Sequence, residues 1–407
     1  QEIHSGLLKS VEGKKLNKVL LVPPDYTRFH SNAGLITNYY YHYFVKHHIE
    51  VDILPALGTH EPMTKEECDE MYGDIPYEKF LVHNWRTDVV HVGEVPKSYI
   101  SEITEGLWNE PVECEVNHLI MDKSYDLILS IGQVVPHEVI GMANHSKNIL
   151  VGCGGKKTIN QSHMIGAVYG MERMMGKDHT PVRKVLDYAM EHLLNERPIV
   201  FVLTVTTAPQ GVIQTHGLFI GDHRNALEEA IKVAQEKNIN FLDKGIKKCI
   251  VYLDPKEFKS TWLGNKSIYR TRMAVKDGGE LIVLAKGVTK FGEDPTIDSL
   301  IRKYGYCGRL KVLELFHENE DLKKNMSAAA HLIHSSSDDR FKITYAVENI
   351  TEKEIESVNF SAASYQETVK RYNPEVLKPG WNILDDGEEV FFIPNPALGL
   401  WIDKNKF

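Results

Sequence analysis

Cysteine is scarce and unpatterned. The 407 residues hold five, Cys68, Cys114, Cys153, Cys249 and Cys307, an odd number with no CxxC pair. The simplest reading is reduced thiols in a cytoplasmic chain. Long apolar runs are missing too. No stretch approaches the roughly 20 uninterrupted apolar residues that a membrane helix needs. Residues 1–17 are mixed and polar, with no apolar signal core. Nor is there an excess of positive charge: 47 basic against 56 acidic side chains leave a net charge of −9. General nucleic-acid binding needs a basic surface that displaces counterions, so it is disfavoured, and only a local basic pocket for a small anion stays open. Internal repeats and low-complexity segments are also lacking.

What is present is an ordinary globular mixture, 42% hydrophobic and 25% charged, which argues against disorder and collagen-like repeats. At roughly 100–200 residues per domain, the length implies two or three domains. Histidine is the telling component: there are 19, several beside Gly or Pro in predicted loops.

The apolar run 18–22 stops at Pro23-Pro24 and reads as a buried strand feeding a loop. Residues 35–48 are aromatic-rich at helical spacing. A second strand, 51–57, ends at Gly58-Thr59-His60, and Thr64 with Glu67 forms a capping box that starts a helix. A third strand, 125–131, ends at 132–137. This alternation predicts an α/β fold with ligands at the loops leaving the carboxyl ends of the strands. Helices are predicted at 158–175, 182–196 and 225–236, and strands at 199–206 and 212–220. The pattern restarts after 240–245, which places a first domain at 1–243 and a second at 244–392, with the tail 393–407 able to return to the first. In the second domain strands are predicted near 249–253, 280–285 and 341–347, with a tail strand at 390–393. Helices are predicted near 265–275, 296–304, 321–334 and 362–371.

The densest chemistry lies between His137 and His163, where three histidines and three lysines fall within 27 residues interleaved with glycine. Glycines let backbone approach a ligand, and amides at a helix start favour a phosphate. A lysine there is an anion clamp or a covalent anchor; a histidine is acid, base or metal ligand. A surface loop with scattered polar residues is the bland alternative. Asp25-Tyr26-Thr27-Arg28 follows the first strand, so Arg28 is placed to grip a carboxylate or phosphate, with Asp25 holding it. The competing reading is an Asp–Arg pair that stabilises the turn. His60, at a strand end, gains weight only beside His137 and His163. Gly154-Gly155-Lys156-Lys157-Thr158 is like a P-loop ending but lacks the leading glycine. Trp262 and Lys266, before a helix, offer a second clamp, with a solvated lysine as the alternative.

These motifs, in order, resemble the lactate racemase family of nickel-pincer-nucleotide-dependent 2-hydroxyacid racemases and epimerases. Asp25-x-x-Arg28 is similar to its D-x-T-R motif and Gly58-Thr59-His60 to its G-T-H motif. Pro136-His137, Lys147 ten residues on and His163 sixteen further resemble its P-H…K…H run. Trp262-Leu263-Gly264-Asn265-Lys266 stands where that family usually has Y-Q-x-x-K. The resemblance implies two α/β domains with the active site in the cleft between them, and a pyridinium-3,5-bisthiocarboxylic acid mononucleotide carrying Ni(II). Lys147 would link it covalently and His163 would bind nickel. His60 and His137 would be the paired acid/base. Asp25 and Arg28 would line the pocket, with Arg28 and Lys266 at the substrate carboxylate. A separate expectation is that Gly154, Gly155, Lys157 and Thr158 cradle the nucleotide phosphate. The implied reaction inverts the C2 hydroxyl by proton-coupled hydride transfer to and from the cofactor, which separate maturation enzymes must make. No nucleic-acid or membrane partner is expected.

Two departures bear on the substrate. The family often has Gly-Gly where this chain has Asn144-His145, and Trp262 and Leu263 replace Tyr and Gln. Asn144 and His145 are therefore candidates to hydrogen-bond extra hydroxyls, which favours a hydroxyl-rich aldonic acid, with lactate or malate as alternatives. The rival functions are a zinc metallohydrolase ligated by His60, His137 and His163, a pyridoxal-phosphate enzyme with Lys147 as Schiff base, and a non-catalytic hydroxyacid-binding protein.

Overall fold

The computed structural model describes residues 2–407, which divide into two compact α/β units. The first runs to Tyr169 and resumes over Arg173–Asn238; the second comprises Gly170–Glu172 and Ile239–Phe407.

In the first unit, Lys18–Val22 is apolar on both faces and buried along nearly its whole length, as expected of a central strand in a covered parallel sheet. It pairs in parallel with Glu50–Ile53 on one side and Leu127–Gln133 on the other. Ile199–Thr207 continues the parallel set, and the antiparallel Gln214–Gly221 closes the edge. From Lys18–Val22 the chain moves outward to Glu50–Ile53, whereas from Leu127–Gln133 it moves the opposite way to Ile199–Thr207. The order therefore reverses between Lys18–Val22 and Leu127–Gln133. A crevice opens at their carboxyl ends, because the following loops diverge. The Ala33–Lys46 helix buries Ile36, Tyr40 and Phe44 against Val19, Leu21, Ile53 and Leu129. The capping box at Thr64 starts the Lys65–Tyr72 helix as read from the sequence.

Several elements differ from the sequence reading. The helix over 158–175 is Lys156–Tyr169, because Gly170 takes φ 101° and ends it. The helix over 321–334 is broken at Asn325 into Glu320–Lys324 and Met326–His334. The antiparallel pair Val89–Val95 and Val112–Asn117 is new; its alternating polar and apolar residues are too irregular to announce a strand pair.

The second unit is a six-stranded sheet in the order Ser361–Ser364, Lys342–Val347, Val275–Ala285, Ile246–Tyr252, Glu389–Ile393 and Gly380–Ile383. All its pairings are parallel except the last. Its core joins Ile250, Ile282, Leu284, Ala346 and Phe392. The C-terminal segment lies within the second unit. Trp401–Asp403 pairs in parallel with Asn240–Leu242, inside the second. All five cysteines are free, and among the described residues no helix is long and apolar enough to cross a membrane.

Candidate active site

The crevice at the carboxyl ends collects the residues singled out from the sequence. Asp25 leaves Lys18–Val22 and caps the Tyr26–Ser31 turn, accepting from the Thr27 amide at 3.2 Å and the Thr27 hydroxyl at 2.5 Å. Its other oxygen accepts from His60 Nδ1 at 2.5 Å. Burial works to raise the Asp25 carboxyl, but the hydrogen bonds from His60 and Thr27 and the nearby Arg28 charge outweigh it. The net shift is downward, so the group is ionised at neutral pH. With Nδ1–H committed to Asp25, the lone pair of His60 lies on Nε2, on a ring that is 57% exposed. Arg28 is exposed beside it.

His137 lies in the short Pro136–His137 strand after Leu127–Gln133. It is buried, and its Nδ1 accepts the Val139 amide at 3.1 Å, so its neutral form carries hydrogen on Nε2. Burial first, then the charges of Lys147 and Arg28, hold its pKa well below the usual 6.5 against the opposing charge of Glu138.

Lys147 is held at the crevice by its neighbours. Asn148 donates to the Val22 carbonyl and to Ser130 Oγ, both at 3.0 Å, which ties the loop to the carboxyl ends of both central strands. Asn148–Gly152 is a short π-helix, a form that recurs at functional sites. Its Gly152 carbonyl accepts the Gly58 amide at 2.8 Å, seating the His60 loop on it. A Cβ on Gly152 would lie 2.7 Å from that of Ala56, so the close approach requires glycine. Burial and the Arg28 charge bring the Lys147 amine down to about 8, so a sizeable neutral fraction exists near pH 7.5. His163, on Lys156–Tyr169, donates from Nδ1 to the Ile159 carbonyl at 2.7 Å, which leaves Nε2 as its lone-pair end. Burial lowers it to about 4. Electrostatic coupling links Asp25, Arg28, His137, Lys147 and His163 with Glu138, a carboxylate the sequence reading passed over. Asn148 and Arg183 were missed as well, since nothing in an isolated polar residue announces what it ties together.

Two readings are corrected. The start of Lys156–Tyr169 is not a phosphate cradle. Glu115 already occupies it: its carbonyl accepts the Gly155 amide at 3.2 Å, and its carboxylate accepts the Lys157 amide at 3.1 Å. Thr158 Oγ1 accepts the Glu115 amide at 2.7 Å, and Lys157 is paired with Glu113 at 2.5 Å. Gly154, Gly155, Lys157 and Thr158 therefore serve a helix start that has its own anion, beside a second carboxylate that repels another. Nor does the His145 ring face the crevice, although Asn144 Nδ2 borders it, against the place that a Cβ on Gly132 would take. Both are buried and left-handed, with φ 69° and 57°. Asn144 Oδ1 caps the His145 amide at 2.7 Å, and the His145 ring stacks on Phe201 at 3.8 Å. They adopt the backbone that a Gly-Gly pair would take without strain.

In the second unit, Trp262 stacks on His331 at 4.1 Å. Tyr269 meets that ring at Nδ1 and Tyr306 at Nε2. Lys266 opens Lys266–Thr271, with Nζ 5.9 Å from the Phe258 ring.

Among the described residues, the one group of three ligand atoms close enough for a metal is Asp178, His179 and Glu228. Its carboxylates are already paired with Arg224. His60, His137 and His163 do not form such a set, which removes the geometric basis for a trihistidine zinc site.

This architecture, a parallel α/β sheet with lysine and histidines at its reversal point, defines a class of ligand-binding α/β protein. Residues 3–175 match the profile of the lactate racemase N-terminal domain. That stretch, the N-terminal part of the chain, is therefore similar to the N-terminal domain of lactate racemases. The fold of the chain is similar to that of a Thermotoga maritima protein of known crystal structure, with TM-score 0.82 and 24% identity over 99% of this chain and 98% of that one. It is also similar to the lactate racemase apoprotein of Thermoanaerobacterium thermosaccharolyticum, with TM-score 0.72 and 17% identity over 97% and 88%. Among curated proteins none matches the chain in sequence.

Proposed function

We propose that the chain is a racemase or epimerase that inverts the hydroxyl-bearing C2 of a 2-hydroxyacid. In this reading a nickel-pincer nucleotide is joined to Lys147 and its Ni(II) is bound by His163. One observation carries the reading: a lysine whose loop is tied to the carboxyl ends of both central strands stands with an imidazole whose Nε2 is left free by its Nδ1 bond to Ile159, and with an Asp25–His60 pair whose Nε2 is free to accept a proton. The residues fit the cofactor. Burial lowers the Lys147 amine to about 8, and the His163 Nδ1 bond to its own helix leaves Nε2 for a soft divalent ion. When bound, the cofactor supplies a reversible acceptor for hydride, which spares C2 from becoming a carbanion beside a carboxylate.

The chain's own residues do the rest. The exposed Arg28 takes the substrate carboxylate and fixes C2 above the crevice. His60 accepts the hydroxyl proton at Nε2, and Asp25 holds the ring in that tautomer. His137 presents Nε2–H and donates to the oxygen on the opposite side. It becomes a base itself only if its ring releases the Val139 amide, so His137 serves as a hydrogen-bond donor while the proton taken by His60 is returned by His60, and the reverse inversion retraces the same steps. The aldonic-acid preference drawn from Asn144 and His145 loses the support of His145, whose ring packs in the core, and the proposal stays at the class of 2-hydroxyacids.

The test is to produce the chain together with cofactor-maturation enzymes and offer single enantiomers of lactate and malate, and gluconate, in heavy water. Chiral chromatography is expected to show inversion of one of them, and proton NMR to show the C2 hydrogen retained. No inversion of any, or inversion with deuterium at C2, contradicts the proposal.

A further inference from the structure

The loop that carries Lys147 is energetically odd. Asn144 and His145 are consecutive non-glycine residues in the left-handed region, at roughly 1–2 kcal/mol each for a residue with a Cβ and less for Asn. Neither ring nitrogen of the buried His145 has a hydrogen-bond partner, a further cost of about 1–3 kcal/mol. A conformation this unfavourable persists only where surrounding structure over-determines it.

What over-determines it is Arg183, on the Pro181–Leu193 helix and 1% exposed. Its guanidinium spends three hydrogen bonds on this loop: Nη1 to Ser146 Oγ at 2.7 Å, and Nη2 to the Met142 carbonyl at 2.7 Å and the Asn144 carbonyl at 3.1 Å. Its nearest carboxylate, Asp187, is 3.8 Å away. Asp187 is itself engaged by Arg224 at 2.5 Å and by the Ser146 hydroxyl at 2.7 Å. A buried cation aimed at loop carbonyls, and only loosely neutralised, adds little net stability. The planar fork does fix three points of a short loop at once, which lysine cannot do.

We infer that Arg183 is the positioning residue for Lys147: its fork folds 142–146 into two left-handed residues and so presents the lysine amine, half-buried, at the crevice between the two central strands. Arg183 acts through the loop, and its charge also lowers the Lys147 amine directly. The groups that face the amine are Arg28, Glu138, Asp25 and Arg183 itself, with His137 and His163 beyond. The inference takes from the proposed function only that Lys147 is the reactive amine. Its readout uses the chain without cofactor, so its failure and the failure of the proposed reaction are distinguishable.

The experiment is pulse acylation with acetic anhydride across pH 6.5–10.5, with peptide mapping that follows Lys147 against exposed lysines in the same sample. The wild-type chain is expected to reach half-maximal Lys147 reactivity near pH 8. In Arg183→Met the loop loses all three anchors and the lysine becomes solvated. The midpoint is then expected to rise by at least about one unit, a roughly tenfold loss of Lys147 reactivity at pH 7.5, while the exposed lysines stay unchanged. Ser146→Ala removes one anchor and is expected to shift the midpoint in the same direction by less. Arg183→Lys keeps the charge without the fork and carries the test: the midpoint is expected to rise here too, and a midpoint that rises in Arg183→Met but not in Arg183→Lys overturns the inference, because loss of charge alone gives that result. A folded variant with a lowered melting temperature and an unmoved Lys147 midpoint overturns the inference, because a merely structural arginine gives that result.

Discussion

Asp25→Asn is the sharpest perturbation of the proton-transfer machinery. In the wild-type chain one carboxylate oxygen takes the Thr27 amide and hydroxyl, at 3.2 and 2.5 Å, and the other takes His60 Nδ1–H at 2.5 Å. An asparagine keeps the Thr27 contacts through its carbonyl oxygen and turns an NH2 toward His60. Nδ1 must then accept, the ring proton moves to Nε2, and the lone pair facing the substrate is lost. Positioned general-base catalysis contributes about 10²–10⁴-fold, or about 3–5 kcal/mol of barrier. Stability hardly changes, because the His60 side chain is 57% exposed and such a pair contributes about 1 kcal/mol or less. The assay is the initial inversion rate from each enantiomer separately, with melting temperature measured alongside. At least a hundredfold loss of kcat/KM is expected, by the same factor from either enantiomer because the base of one direction is the acid of the other, with melting shifted by only a few degrees. His60→Gln is expected to lose as much, and the double variant no more than His60→Gln alone, because the two residues act as one unit. Activity of Asp25→Asn within threefold of wild type, or losses that multiply in the double variant, would refute the reasoning.

Other perturbations separate the corrected readings from the original ones. Glu115→Gln removes the chain's own anion from the start of Lys156–Tyr169. It is expected to lower stability by about 1 kcal/mol by chemical denaturation while leaving retention of the loaded cofactor unchanged; tighter phosphate binding would restore the cradle. His145→Phe keeps a ring on Phe201 and deletes two unpartnered nitrogens. It is expected to gain about 1 kcal/mol of stability without altering KM for any hydroxyacid. Lys147→Met isolates the cost of the buried amine. Its pKa is about 8 in the folded chain and the ordinary 10.5 in the unfolded one. Below pH 8 the lysine is charged in both states and its burial cost is present in full. Between about pH 8 and 10.5 the unfolded chain holds the proton longer, so wild-type stability rises. Urea unfolding is therefore expected to show a methionine variant that is more stable at pH 7, with an advantage that shrinks by up to about 3 kcal/mol toward pH 10.5.

The frame of the site was legible in the sequence because each part is written locally. An apolar run stopped by Pro23-Pro24 is a buried strand end, Gly58-Thr59-His60 closes a second, and Thr64 with Glu67 caps the next helix. The ordered spacing of Asp25, His60, His137, Lys147 and His163 carried the resemblance to lactate racemases that the match over residues 3–175 bears out. What stayed illegible depends on partners distant in the chain. Glu115 reaches the glycines at 154–155 from a strand some 40 residues earlier, so a glycine–lysine helix start was read as open to phosphate. His145 looked like a polar ligand because nothing local reveals its φ of 57°, or a Phe201 ring waiting in the core. Arg183 and Asn148 act through backbone carbonyls, which leave no trace in side-chain patterning.

The most direct measurement is the intact mass of the chain produced together with the cofactor-maturation enzymes and nickel, followed by peptide sequencing of the adduct. The account requires one added nucleotide-derived mass, localised to Lys147, absent from Lys147→Ala, and stripped of nickel but still attached in His163→Ala. An unmodified lysine in fully matured, nickel-replete protein that nevertheless inverts a 2-hydroxyacid would contradict it.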